Sequence, residues 1–211
     1  MFKVGSQLFT AEGPQAIAKL ARLGPGIFLD LKFHDIPSTV AGAVASASKL
    51  PGISLMTLHA TGGAEMMRAA SQTLRGSWRG RTSRPKLLAV TILTSLGPQA
   101  MRRVGIMGSA QERAVRLAKL AQRSGLDGAV ASANEVESIR RACGRNFLIV
   151  VPGVRPSWAG RDDQARVATP TEAIRAGADY IVVGRPITLA PDPAAAAVAV
   201  LEEISQARSA V

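Results

Sequence analysis

Ile27-Phe28-Leu29-Asp30-Leu31-Lys32-Phe33-His34-Asp35-Ile36-Pro37 starts as an apolar run and ends on a proline. A short run rich in Ile, Leu and Phe suits a buried parallel strand. A proline, with its fixed φ and missing N–H, suits the first turn of a helix, and this one opens a helical pattern over 37–49, before Pro51. One strand feeding one helix is the unit from which the rest of the chain reads. Further strand-like runs stand at 2–4, 53–59, 87–93, 128–131, 147–151 and 180–183. Amphipathic helical patterns stand at 14–23, 110–124 and 134–143, and Thr169-Pro170-Thr171-Glu172 is a capping box. Asp192-Pro193 opens a final Ala-rich helix in the same way.

Strand alternating with helix predicts an α/β fold with a parallel sheet. The count is seven strand–helix units, whereas a (β/α)8 barrel has eight in about 250 residues. The run at 2–4 has no element before it. The expectation is therefore either an open seven-stranded sheet or a TIM-type (β/α)8 barrel without its first β-strand and helix. A single domain over 1–211, incomplete at its N-terminus, follows from the second choice.

Composition narrows the function. The chain has 211 residues, 47% hydrophobic and 19% charged, enough apolar material for a core and too much for wholesale disorder. Cys143 is the only cysteine, which excludes an intrachain disulfide framework, and with two histidines a structural zinc site is excluded as well. Neither a signal peptide nor an apolar run near the ~20 residues of a membrane span is present, so a cytoplasmic location with no membrane partner is expected. The net charge is +11, from 26 Lys+Arg and 15 Asp+Glu. Such a balance suits nucleic acid or an anionic small substrate, and it also reads as nothing more than a soluble, Arg-rich surface. Aromatics make up only 4%, so stacking platforms for single strands are scarce, and no nucleic-acid-binding signature is visible.

In parallel α/β proteins the chemistry sits at the carboxyl ends of strands. On the strand over 27–33, alternation puts Asp30 and Lys32 on one face and Leu29 and Leu31 on the other. Two charges on an inward face are costly unless paired. With Asp35 just beyond, an Asp–Lys–Asp arrangement would keep the amine protonated and suit proton donation; a plain ion-pair network is the other reading. Lys3 either joins that network or is a terminal surface lysine. His59 is either a ligand or acid–base group or a packed histidine, and Thr91, Thr94 and Ser95 are hydroxyls at a strand end that suit a polar ligand edge but are also ordinary turn residues. Pro152-Gly153-Val154-Arg155 ends another strand and opens a long segment carrying Gln164 and Arg166, which reads either as a lid over an anion or as an exposed loop. Gly184-Arg185-Pro186 ends the last strand, where a glycine permits close backbone approach and an arginine can grip a phosphate.

The motifs FKVG, DLKFHDIPSTV, LHATGG, VTILTS, PGVRP…DDQARVATP and VVGRPIT occur in one order from Phe2 to about Pro193. Together they resemble the orotidine 5′-phosphate decarboxylase family. The resemblance implies Lys32 as proton donor to C6 of the pyrimidine, flanked by Asp30 and Asp35, with Lys3 extending the network toward the ribose. It implies that Asp35, Ile36 and Thr39 serve the neighbouring subunit's site, hence a homodimer with shared active sites. Thr94 and Ser95 would face the pyrimidine. Pro152, Arg155, Gln164, Gly184 and Arg185 would bind the rest of the nucleotide, chiefly its 5′-phosphate. Neither a metal nor an organic cofactor is implied, and no nucleic-acid partner.

The family carries one more strand and helix ahead of FKVG, with an aspartate that contacts the ribose. The sequence read from Met1 lacks them, so an internal start is expected, and a chain that truly began there would be expected to fold poorly and show little activity. Two alternatives stand beside this. One is a magnesium-dependent decarboxylase of a keto-gulonate phosphate, which shares D-x-K-x-x-D but has a metal-binding glutamate where this chain has Lys3. The other is a non-catalytic remnant or basic nucleic-acid-binding module.

Overall fold

The computed structural model describes residues 1–78, 83–159 and 168–209. Among these residues, seven parallel strands follow one another in chain order, β1 to β7, alternating with helices. That order and alternation are those of the (β/α)8 class, with seven of its eight units. Two compact units emerge, Met1–Val90 with Leu117–Gly128, and Thr91–Arg116 with Ala129–Val211.

The first unit holds β1 (Phe2–Gly5), β2 (Ile27–Phe33), β3 (Ile53–His59) and β4 (Lys86–Val90), paired in parallel. Val4, Ile27, Leu29, Met56, Leu58, Leu87 and Leu88 are all buried on these strands. Between them run α1 (Ser6–Glu12), α2 (Pro14–Ala21), α3 (Pro37–Ala47) and α4 (Gly63–Ser77). Pro14 and Pro37 occupy the first turns of α2 and α3, as the sequence predicts. On α3, Val40 and Val44 are buried at a four-residue interval, and on α4 so are Met66, Met67, Ala70 and Leu74. α1 buries no residue, which is why no periodicity announces it.

The second unit holds α5 (Pro98–Arg103), most of β5 (Gly128–Val130), α7 (Val136–Cys143), β6 (Leu148–Val151) and α8 (Pro170–Arg175). β7 (Tyr180–Ile181), α9 (Arg185–Thr188) and α10 (Pro193–Ser209) complete it, while α6 (Ala110–Arg123) runs through the division. The box at α8 is closed as read: Glu172 N–H donates to Thr169 Oγ1 at 3.1 Å and Thr169 N–H to Glu172 Oε2 at 2.8 Å. α10 opens with Ala195 N–H donating to Asp192 Oδ1 at 3.0 Å. β4 and β7 are shorter than the runs 87–93 and 180–183, although just beyond them Thr91 N–H still donates to Val130 O at 3.1 Å and Val182 N–H to Val151 O at 2.8 Å.

One device recurs at strand starts. Before β5, Asp127 accepts from Leu87 N–H at 2.9 Å and from both terminal nitrogens of Arg84, at 2.7 and 2.5 Å. Before β7, Asp179 accepts from Ile149 N–H and from Arg140, both at 2.7 Å. Each carboxylate thus ties a backbone N–H of the preceding strand to an arginine, within its own unit.

Candidate active site

The end of β2 is irregular. Against β3, Leu29 lies opposite Met56 and Phe33 opposite Leu58, so four steps on β2 match two on β3. The surplus is absorbed as a bulge. Lys32 sits in it with φ +53°, the one non-glycine residue of positive φ among the described residues. A left-handed conformation costs a side-chain-bearing residue about 1–3 kcal/mol. Offsetting it, Lys32 N–H donates to Thr57 Oγ1 at 2.9 Å, and Lys32 Nζ donates to Asp30 Oδ2 at 2.7 Å. Alternation on a flat strand foresaw this pair; the bulge is what aims it.

Asp30 divides its carboxylate. Oδ1 accepts from Thr57 Oγ1 at 2.9 Å, while Oδ2 meets Lys32 Nζ and, at 3.8 Å, Lys3 Nζ. The Asp30 side chain is 13% exposed, but those of Lys3 and Lys32 are 35% and 34% exposed. Two ammonium groups therefore share one nearly buried anion and still face solvent, from which a ligand can reach them. Gly5 leaves room for this, since a Cβ there would stand 3.1 Å from Lys3 Nζ.

Asp35 stands outside this cluster in the single chain. It is exposed, takes the N–H of Ile36 on Oδ1 at 2.6 Å, and makes no ion pair with Lys32. Ile36, 63% exposed, and Thr39 are on the surface beside it, at the start of α3. His59, at the end of β3, faces the ring of His34 with centroids 5.3 Å apart. Burial holds its imidazole below the ordinary value; the His34 ring and the Lys32 ammonium push the same way and Asp30 opposes them. His59 is thus the packed histidine of the two readings, favoured in its neutral form.

In the second unit, Thr91 is buried and donates to Val130 O at 2.9 Å, a satisfied core hydroxyl. Thr94 is half-buried and Ser95 exposed in the turn after it. Pro152 follows β6, and beyond it Val154 bridges Ala168 while Arg155 N–H donates to Ala168 O at 2.9 Å, so the two ends of that long segment are joined. Arg155 is 7% exposed. Gly184 and Arg185 are exposed where α9 begins, and a Cβ at Gly184 would meet nothing within 4 Å. Gln164 and Arg166 lie outside the described residues. Among the described residues, the side chain in this cluster that sequence reasoning passed over is Thr57, whose only signal was a hydroxyl in a buried apolar strand.

Charged side chains at a strand's carboxyl end, in a parallel strand–helix alternation, stand where (β/α) enzymes carry their active sites. The family model described as orotidine 5′-phosphate decarboxylase / HUMPS family matches residues 1–200, and the chain belongs to that family. It is 53% identical over 204 residues to the orotidine 5′-phosphate decarboxylase of Citrifermentans bemidjiense, spanning 97% of this chain and 85% of that protein. It is 55% identical to that of Trichlorobacter lovleyi, spanning 97% and 84%. Among solved structures, the orotidine 5′-phosphate decarboxylase of Lactobacillus acidophilus superposes with a TM-score of 0.83 at 43% identity, covering 96% of this chain and 85% of that one.

Proposed function

We propose that this protein converts orotidine 5′-monophosphate to uridine 5′-monophosphate in pyrimidine biosynthesis, with Lys32 as the proton donor. The observation that carries the reading is the Lys32 Nζ–Asp30 Oδ2 contact of 2.7 Å, with Lys3 at 3.8 Å from the same oxygen. In the reaction the bond from C6 to its carboxylate breaks, its electron pair stays on C6, and carbon dioxide leaves. A preorganised cation facing the developing charge lowers the energy of that state. The Lys32 ammonium then gives its proton to C6 and regains one from solvent. Asp30, already bonded to Lys32, keeps the ammonium in place and sets a negative charge against the substrate's own carboxylate.

Lys3 is assigned to the ribose side, and Thr94 and Ser95 to the pyrimidine. Pro152, Arg155, Gln164, Gly184 and Arg185 are assigned to the remaining contacts, with the arginines on the 5′-phosphate. Binding energy from so remote a group serves to hold the base in place during the chemistry. Asp35, exposed and outside the ion-pair cluster of its own chain, is assigned with Ile36 and Thr39 to the site of a second copy, which makes the enzyme a homodimer. The reaction needs neither metal nor organic cofactor and takes place in the cytoplasm. The test follows the ultraviolet absorbance of orotidine 5′-monophosphate with the protein and a chelator. Steady conversion to uridine 5′-monophosphate is expected. No conversion, or conversion only when magnesium is restored, contradicts the proposal.

A further inference from the structure

We infer that Thr57 is a positioning residue for this reaction, acting through Asp30 and Lys32 at once. The inference rests on the decarboxylase reading above and adds a residue to it. Thr57 lies on β3 opposite the bulge of β2 and is fully buried. A hydroxyl has one proton to give and two lone pairs to receive. Thr57 gives its proton to Asp30 Oδ1 at 2.9 Å and receives the N–H of Lys32 at 2.9 Å. The same atom therefore fixes the carboxylate that orients the ammonium and the backbone that carries it.

Each bond answers a specific need. The grip on Oδ1 leaves Oδ2 as the oxygen presented to Lys32 and Lys3. Without it, the carboxylate could turn about its last torsion and offer both oxygens to Lys32, drawing Nζ away from the substrate side. The bond from Lys32 N–H supports a residue held at φ +53° and pairs a donor that the irregular ladder leaves beside the bulge. Threonine also suits the task sterically. Its β-branch fits a strand and stiffens χ1, so the hydroxyl direction is set by the backbone. Valine has nearly the same shape and neither hydrogen-bonding function.

The test compares Thr57→Val, Thr57→Ser and Thr57→Ala with the wild type and Lys32→Ala. The readouts are kcat and KM for orotidine 5′-monophosphate, uridine 5′-monophosphate affinity and thermal midpoint. Thr57→Val should lower kcat about 100-fold, the loss expected when a reacting group shifts by roughly 1 Å. Its affinity for the product should stay within about twofold, because Thr57 is fully buried beneath Asp30 and Lys32. Thr57→Ser, which keeps the hydroxyl, should recover most of kcat, whereas Thr57→Ala should fall with Val. A Val variant with wild-type kcat overturns the inference, and so does a Ser variant as impaired as Ala. If Val and Ala fail to fold, the Ser variant alone decides: near-wild-type kcat supports the role, and a loss like that expected of Val overturns it. Absence of turnover in the wild type overturns the decarboxylase reading itself, whatever the Thr57 variants do.

Discussion

Lys32 reaches Asp30, two residues away on the same strand, through a bulge and not along a flat pleat: its Nζ lies 2.7 Å from Asp30 Oδ2 while its backbone holds φ +53°. The position of the ammonium is thus a property of how β2 meets β3, and disturbances of the pair should register in both stability and turnover.

Replacing Asp30 by Asn leaves the ammonium groups of Lys3 and Lys32 without their shared anion. Losing a charged partner that is mostly buried costs about 1–3 kcal/mol. Asp30→Asn should lose that much in urea unfolding and most of its kcat. Lys3→Ala, removing a 3.8 Å contact from a side chain 35% exposed, should cost within about 0.2–1 kcal/mol.

The carboxylates at strand starts should behave as structural pins. Asp127→Ala and Asp179→Ala each leave a backbone N–H without its acceptor and take away an arginine's charged partner, and each should lower unfolding free energy by about 1–3 kcal/mol. Lys86→Ala should change little, since Lys86 Nζ is 3.9 Å from Asp127 Oδ1 and its side chain is 50% exposed. Denaturant midpoints measure all three, and kcat of the folded fraction should be unchanged.

Acid should weaken the fold through His59. Burial lowers its affinity for a proton in the folded chain, whereas the unfolded chain takes that proton near the ordinary value of 6.5. Between the folded value and 6.5 the unfolded state binds more protons, so stability rises with pH there. Going down from neutrality, stability should fall as the pH passes through about 6.5, and the loss should be complete below the folded value. His59→Gln should flatten this part of the profile. Thermal midpoints for both proteins from pH 7.5 down to 5 read the difference, and parallel curves would refute the assignment.

Arg185→Ala should weaken binding of uridine 5′-monophosphate while leaving uridine affinity unchanged. A hydrogen bond to a charged group contributes about 1.5–3 kcal/mol, so a loss of roughly 10- to 150-fold is expected by calorimetry.

Much of the fold was legible because its signals are local. Ile27 to Phe33 reads as a strand from its own side chains, Pro14 and Pro37 mark helix starts, and Thr169 and Glu172 carry a cap within four residues. The Lys32–Asp30 pair was legible for the same reason, although the bulge that produces it was not, since neither Gly nor Pro marks it. What escaped depends on distance along the chain. Thr57 is an ordinary strand former until β2 lies against it, 27 residues from Asp30. Asp127 and Asp179 find arginines 43 and 39 residues away. The pattern Gly-Leu-Asp at 125–127 and Gly-Ala-Asp at 177–179, each just before a strand, was the one hint of that shared device. The placement of Asp35 away from Lys32 follows from the turn into α3, which strand alternation does not reach.

In the proposed reaction Lys32 delivers the proton that replaces carbon dioxide. The most direct test of this role is the turnover of orotidine 5′-monophosphate by Lys32→Ala, measured beside that variant's affinity for uridine 5′-monophosphate. Conversion should fall to the limit of detection while the product still binds. Turnover close to that of the unaltered chain would contradict the role.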